Sequence, residues 1–116
     1  MRQSYEIRNN FDENLNPAGG SVTPAYNEKG ESGKGIHIGW QDGPTRLNGE
    51  PVPPNGAFVE DVLEIAQIRL EFYQNSKFKC QENATAIQFI QLAREVLASR
   101  VARREADGTF GTHEGN

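Results

Sequence analysis

The chain has 116 residues, of which 35% are hydrophobic, so it has material for one compact domain but not for two independent cores. Sixteen acidic residues against twelve basic ones give a net charge of −4, which argues against binding to DNA or RNA polymers, where phosphate attraction dominates. The net charge does not exclude a small phosphorylated ligand, because the binding of such a ligand depends on a local group of arginines rather than on the total charge.

Cysteine content and hydropathy bear on the compartment. The single cysteine, Cys80, cannot form an intrachain disulfide, and the N-terminus lacks the pattern of a signal peptide. No apolar run approaches the roughly 18 residues that a membrane-spanning helix needs. We therefore expect a cytoplasmic protein without a membrane partner.

Turn-forming residues dominate the segment from residue 1 to about residue 53, which holds most of the chain's Gly and Pro together with many Asn and Ser. Two short runs in it, residues 4–8 and 35–40, have the apolar pattern of strands. The Gly-, Asn- and Pro-rich stretch between these runs is predicted to be a long loop. This half of the chain should therefore be a small antiparallel β region.

Apolar residues recur three and four positions apart from about residue 57 to 75, which predicts an amphipathic helix. Its apolar stripe consists of Val59, Val62, Leu63, Ala66, Leu70 and Tyr73. Glu60 and Asp61 lie in its first turn, where the helix dipole favours negative charge.

A second amphipathic helix is predicted from about residue 80 to 106, ended by Asp107 and Gly108. Because the turn at residues 74–79 is short, the two helices should form an antiparallel hairpin. Three residues widen the apolar face of the second helix beyond what one partner helix covers, which predicts an oligomer. The face consists of Ala86, Ile90, Ala93, Leu97 and Val101, widened by Phe89, Leu92 and Val96.

These elements predict an α+β fold in one domain over residues 1–116. The turn-rich β region takes residues 1–53, the helical hairpin residues 54–108 and a C-terminal tail residues 109–116. Catalytic groups do not assemble in this sequence: His37 and His113 are far apart and lack metal-ligand spacing, and a lone Cys80 at a helix start is typical of a small half-buried residue. We expect no enzyme, no metal and no cofactor.

Two pairs of residues are candidates for ligand binding. Arg100 and Arg104 are four apart and share a helix face, so they could bind an anion or merely complement the helix dipole. Tyr73 ends the first helix and Asn83 opens the second, so the turn should bring ring and amide together. That pair suits a nucleobase, although Tyr73 in the core and Asn83 as a helix cap would explain the residues equally well.

One ordered set of residues spans about residues 36–113. The set consists of Gln41-Asp42-Gly43-Pro44, Asn55-Gly56, Glu60-Asp61-Val62-Leu63, Arg69-Leu70, Tyr73-Gln74, Phe78, Glu82-Asn83, Ala86, Arg100, Arg104 and Gly111-Thr112-His113. Together these residues resemble the type-one Thoeris anti-defence proteins of phages. Residues 105–110 depart from the family's usual run and are two residues longer.

The resemblance implies a sponge that acts in the cytoplasm of an infected bacterium. Members of the family bind glycocyclic ADP-ribose, the messenger of the Thoeris system, and hold it without cleaving it. Some hexameric members also bind cyclic trinucleotides of the CBASS defence. A homodimer or a hexamer is therefore expected.

The same resemblance implies roles for single residues. Tyr73 stands at the family's base-stacking aromatic position, Asn83 matches its asparagine, and Arg100 and Arg104 match its paired arginines. Thr112 belongs to its tail motif and is a further ligand candidate. Arg46, in the loop from Gly43 to Pro51, is a candidate cation for a second ligand site, and a solvated loop charge is an equal alternative.

The length of the second helix adds a geometric expectation. Seventeen residues separate Asn83 from Arg100, which is roughly 25 Å along one helix. One small ligand cannot bridge that distance, so a shared site requires an antiparallel two-fold dimer with two composite sites. An alternative to ligand binding is a protein-interaction function, in which a non-catalytic helical-hairpin module docks on another protein through its apolar face.

Overall fold

The computed structural model describes residues 5–25 and 35–106. The chain divides into two compact units, a β unit at Met1–Ala57 and a helical unit at Phe58–Asn116. Strands followed by two helices confirm the predicted α+β class. The assignment of both units to one domain stays a prediction.

The β unit begins with an antiparallel hairpin of β1 (Tyr5–Phe11) and β2 (Pro17–Pro24). Its turn is closed by the Asp12 carboxylate, which accepts the backbone N–H groups of Asn14 at 2.8 Å and Asn16 at 3.0 Å. Such an aspartate bond to the backbone two residues on is a common turn device. The strand predicted at residues 4–8 is thus confirmed over its described residues and runs further than expected.

Strand β2 lies inside the stretch that was predicted to be a loop, so that prediction is wrong for residues 17–24. Its glycines, which indicate a turn when read locally, are required by strand pairing. A Cβ atom on Gly20 would collide with the Arg8 carbonyl oxygen of β1, and Gly20 has a φ of +142°. A close approach of two backbones needs glycine there.

Strand β3 (Ile38–Trp40) pairs antiparallel with β2, which gives the sheet order β1-β2-β3. It confirms the second predicted strand over a shorter range. A separate two-stranded hairpin joins β4 (Arg46–Leu47) to β5 (Glu50–Pro51). Its turn residues Asn48 and Gly49 have φ values of 52° and 82°, as in the two-residue turns that Asn-Gly favours.

The segment after β3 is tied to the end of the β unit by a compact set of hydrogen bonds. The Ala57 N–H donates to the Gly39 carbonyl at 2.7 Å, and the Gln41 N–H donates to the Ala57 carbonyl at 2.9 Å. The Gln41 side-chain oxygen accepts the N–H groups of Asn55 at 2.9 Å and Gly56 at 3.2 Å. These bonds fix the residues immediately before the first helix.

The helical unit contains α1 (Val59–Gln74) and α2 (Gln81–Ala106), within two residues of the predicted bounds. The Phe58 N–H donates to the Asp61 carboxylate at 2.8 Å, which satisfies a backbone donor at the start of α1. The predicted stop at Asp107 and Gly108 lies outside the described residues. Neither described helix has the length and hydropathy needed to cross a bilayer.

The two helices contact each other through a polar pair. Arg94 of α2 donates to the Gln67 side-chain oxygen of α1 at 3.0 Å and lies 3.9 Å from a Glu64 carboxylate oxygen. Gln67 is 8% exposed and is the one buried side chain in the described part of the chain. The predicted stripe of α1 is half-buried at Val62, Leu63, Leu70 and Tyr73, whereas Ala66 and the first helical residue, Val59, are exposed.

Each helix carries a second apolar stripe that faces solvent in the single chain. The side chains of both stripes are more than half exposed and recur at intervals of three and four residues. The outer stripe consists of Ile65, Ile68 and Phe72 on α1 and of Phe89, Leu92 and Val96 on α2. The second helix thus has the additional apolar face that its sequence indicates. Single apolar side chains are common on surfaces, but a continuous stripe favours a partner.

Gly56→Ala should destabilise the β unit by roughly 1 to 3 kcal/mol. The added Cβ would lie 2.6 Å from the Trp40 carbonyl carbon and oxygen, which are backbone atoms that cannot rotate away. The matched control is Gly39→Ala, whose Cβ would meet no atom within 4 Å. Urea unfolding, followed by the fluorescence of the sole tryptophan, measures both. Equal unfolding midpoints for the two variants would contradict the prediction.

Candidate functional site

The turn between α1 and α2 is held by side-chain hydrogen bonds. The Ser76 hydroxyl donates to the Tyr73 carbonyl at 2.7 Å and accepts the Phe78 N–H at 3.1 Å. The Gln74 side-chain oxygen accepts the Cys80 N–H at 2.9 Å. The predicted turn is confirmed, and these bonds give it a defined conformation.

Cys80 begins α2. Its sulfur accepts the Asn83 N–H at 3.4 Å and its carbonyl accepts the Ala84 N–H at 3.3 Å, so it takes the capping role that Ser or Asp usually fills. The reading of Asn83 as the cap is therefore wrong. The Asn83 amide nitrogen instead donates to the Phe78 carbonyl at 3.3 Å. Within the described residues no hydrogen bond uses its side-chain oxygen, which leaves an acceptor for a ligand.

Tyr73 is half-buried among aromatic neighbours rather than enclosed in a core. Its ring meets Phe72 and Phe78 edge to face, with centroid distances of 6.0 and 6.3 Å. The Arg69 Nε–H donates to the Tyr73 hydroxyl at 3.2 Å. Phe78 contacts Tyr73 through its ring and Asn83 through its carbonyl oxygen, so the two predicted residues have a common neighbour in the turn. We call Arg69, Phe72, Tyr73, Phe78 and Asn83 the aromatic corner.

The predicted arginine pair lies at the other end of α2. Arg100 is exposed, Arg104 is half-buried and the intervening Arg103 is exposed. Since α2 is one uninterrupted helix of 26 residues, Arg100 lies roughly 25 Å along it from Asn83. The structure therefore does not bring the two candidate pairs together within one chain.

A cavity of about 310 Å³ lies between the start of α1 and the later part of α2. Three of its four charged lining residues are acidic, and none of the predicted ligand residues is among them. The lining residues are Glu60, Asp61, Glu64, Arg94, Ala98 and Val101. Three carboxylates against one guanidinium make this cavity a poor site for a phosphorylated ligand.

The remaining candidates lie elsewhere. Arg46 is exposed on β4, and its guanidinium is 3.5 Å from the Gly49 carbonyl oxygen in the same hairpin. Thr112 and His113 lie outside the described residues. Within residues 5–25 and 35–106, no group of three His, Cys, Asp or Glu side chains could hold a metal ion.

Three contributors to the aromatic corner, Arg69, Phe72 and Phe78, were given no role in the prediction from sequence. Arg69 precedes Tyr73 by four positions, and residues at that spacing meet on one helix face. Phe78 lies in the predicted turn, where its ring could not be assigned a neighbour. The spacing of Arg69 was therefore a usable signal, whereas the contact of Phe78 depends on the shape of the turn.

Comparison with known proteins assigns the family. No protein-family model matches the chain. Thoeris anti-defense 1 of Bacillus phage SBSphiJ7 is 35% identical over 103 residues, which cover 89% of this chain and 70% of that protein. The chain belongs to the Thoeris anti-defence 1 family. The resemblance seen in the sequence is thus confirmed, and the roles of Tyr73, Asn83, Arg100 and Arg104 stay predictions.

Proposed function

We propose that the protein counteracts Thoeris immunity in the cytoplasm of an infected bacterium by binding glycocyclic ADP-ribose without cleaving it. The phage relative, whose name states anti-Thoeris activity, supports the biological role. The aromatic corner carries the chemical argument. Tyr73 has a half-buried ring that can stack on a nucleobase, and Asn83, which shares the neighbour Phe78, has an unused amide oxygen that can bond to the edge of the base.

The phosphates of the messenger need cations, and Arg100 and Arg104 are proposed to supply them. A charge-assisted hydrogen bond contributes about 1.5 to 3 kcal/mol. Because the pair lies roughly 25 Å from Asn83 along the same helix, we assign the pair and the corner of one site to two chains. Thr112 is proposed as a further contact from the tail motif of the family.

The outer apolar stripes support this dimer. Phe89, Leu92 and Val96 of α2 are each more than half exposed in one chain, and a second copy would cover them. An antiparallel two-fold pairing places the corner of each chain against the arginine end of the other and creates two equivalent sites. Further assembly to a hexamer and binding of cyclic trinucleotides, with Arg46 as a cation, extend the proposal.

Three outcomes of one experiment separate the proposed sponge from its alternatives. The protein is incubated with glycocyclic ADP-ribose, the free messenger is measured, and the protein is then heated and the supernatant analysed. A sponge depletes the messenger and releases it intact on heating. A protein-interaction module depletes nothing, and an enzyme releases an altered product. The control, Asn83→Ala, should leave more messenger in solution, because it removes the amide that bonds to the base.

Arg100→Ala and Arg104→Ala should each weaken messenger binding by about 10- to 100-fold, since each removes a charge-assisted bond. The matched control is Arg103→Ala, because Arg103 carries the same charge but points about 100° away from Arg104 on the helix. Calorimetric titration measures the three affinities. Equal losses at Arg103 and Arg104 would show that general positive charge, rather than the pair, binds the ligand.

A mixed-refolding experiment tests the shared site. Homo-oligomers of Asn83→Ala or of Arg100→Ala should each bind poorly, because every site then lacks either the Asn83 amide or the Arg100 guanidinium. After the two variants are unfolded and refolded together, random pairing makes about half of the dimers mixed, and each mixed dimer has one intact site and one doubly altered site. About a quarter of all sites should then regain near wild-type affinity.

Light scattering and native mass spectrometry provide the controls for that experiment. Wild-type protein should be at least a dimer, and mixed dimers should be present after refolding. A monomer at micromolar concentration, or confirmed mixed dimers without recovered tight sites, would exclude the composite site.

A further inference from the structure

Arg69 is held by the aromatic corner on the exposed side of α1. Its Nε–H donates to the Tyr73 hydroxyl at 3.2 Å, and its central carbon lies 4.9 Å from the ring centroids of both Phe72 and Tyr73. A guanidinium over an aromatic ring is attracted by the ring's negative face. These contacts orient a long side chain that would otherwise sample many rotamers.

No carboxylate of the described residues lies within 4.0 Å of the Arg69 guanidinium nitrogens, so none of them neutralises its charge by an ion pair. Arg94 offers the contrast, because its guanidinium is occupied by Gln67 and Glu64 inside the helical hairpin. Among the described residues, no hydrogen bond uses the two terminal nitrogens of Arg69.

An arginine with its Nε–H occupied and its terminal N–H groups available can bind a phosphate through two parallel hydrogen bonds. A nucleobase on Tyr73 would bring the rest of a nucleotide close to this guanidinium, which contacts the same ring. Because both contacts are made by α1 residues one turn apart, no second chain is needed to form them.

We propose that Arg69 binds a phosphate of the nucleotide ligand from the side of the aromatic corner and also holds the Tyr73 ring in place. This inference rests on the proposed function and extends it: the phosphates are contacted from both walls of the site, by Arg69 of one chain and by Arg100 and Arg104 of the other. The site then selects phosphorylated nucleotides over nucleosides through one chain's own residues.

Calorimetric titration of glycocyclic ADP-ribose at several salt concentrations tests this assignment. Arg69→Met should weaken binding by about 10- to 100-fold and should also reduce the dependence of affinity on salt, because one ionic contact is lost. Arg69→Lys should retain much of the salt dependence but less of the affinity, since a lysine is a point charge without the planar fork.

Lys77→Met is the matched control for local charge, because the Lys77 ammonium lies 5.4 Å from the centroid of the Phe78 ring in the same turn. Its affinity should stay close to that of the wild type. Equal losses for Lys77→Met and Arg69→Met would overturn the proposal, and so would an Arg69→Met variant with wild-type affinity or wild-type salt dependence. Circular dichroism checks folding, and if Arg69→Met does not fold, an Arg69→Lys variant with wild-type affinity overturns the proposal.

Different results would exclude the proposed function and the assignment of Arg69. Wild-type protein that does not bind glycocyclic ADP-ribose would exclude the proposed function, and the Arg69 assignment with it. Wild-type protein that binds tightly while Arg69→Met binds equally well would exclude only the role of Arg69.

Discussion

Because α2 is one uninterrupted helix, its two ends cannot contribute to the same ligand site within one chain. A helix of 26 residues is a rigid spacer of roughly 39 Å, and the chain places its base-binding candidates at one end and its paired arginines at the other. Among the described residues, neither end alone offers both a stacking ring and two cations on one face. The capping bond from Asn83 to the Cys80 sulfur fixes where the spacer begins and therefore where the Asn83 amide lies.

The helical hairpin depends on polar contacts to an unusual degree. Among the described residues, Gln67, which bonds to Arg94, is the one buried side chain, and no hydrophobic side chain is buried. A small domain with so little enclosed apolar surface has a small margin of stability. The exposed stripes on α1 and α2 offer the missing hydrophobic burial, and covering them with a second copy would stabilise the fold and assemble the proposed site in one step.

Local patterns predicted the helices, and tertiary contacts decided most of what the sequence did not predict. Apolar residues three and four positions apart, such as those around Leu70 and around Leu97, identified both helices, because this periodicity is a property of the segment itself. Strand β2 was missed because Gly20 is required by the Arg8 carbonyl of another strand. Gln67 could be placed at the helix contact only with Arg94 in view. The Asn48-Gly49 turn, by contrast, was a local signal that could have been used.

Among the site candidates, too, sequence spacing predicted some features and tertiary contacts decided others. The proposed site also couples dimerisation to ligand binding. Spacing alone predicted that Tyr73 and Asn83 share a corner, whereas the uncommitted guanidinium of Arg69 became visible only from its ring contacts. If each site takes one wall from each chain, a ligand binds the dimer and not the monomer, so ligand must strengthen association and association must strengthen binding by the same factor. An acidic chain can then bind an anion tightly, because the proposed dimer would bring Arg69 of one chain close to Arg100 and Arg104 of the other.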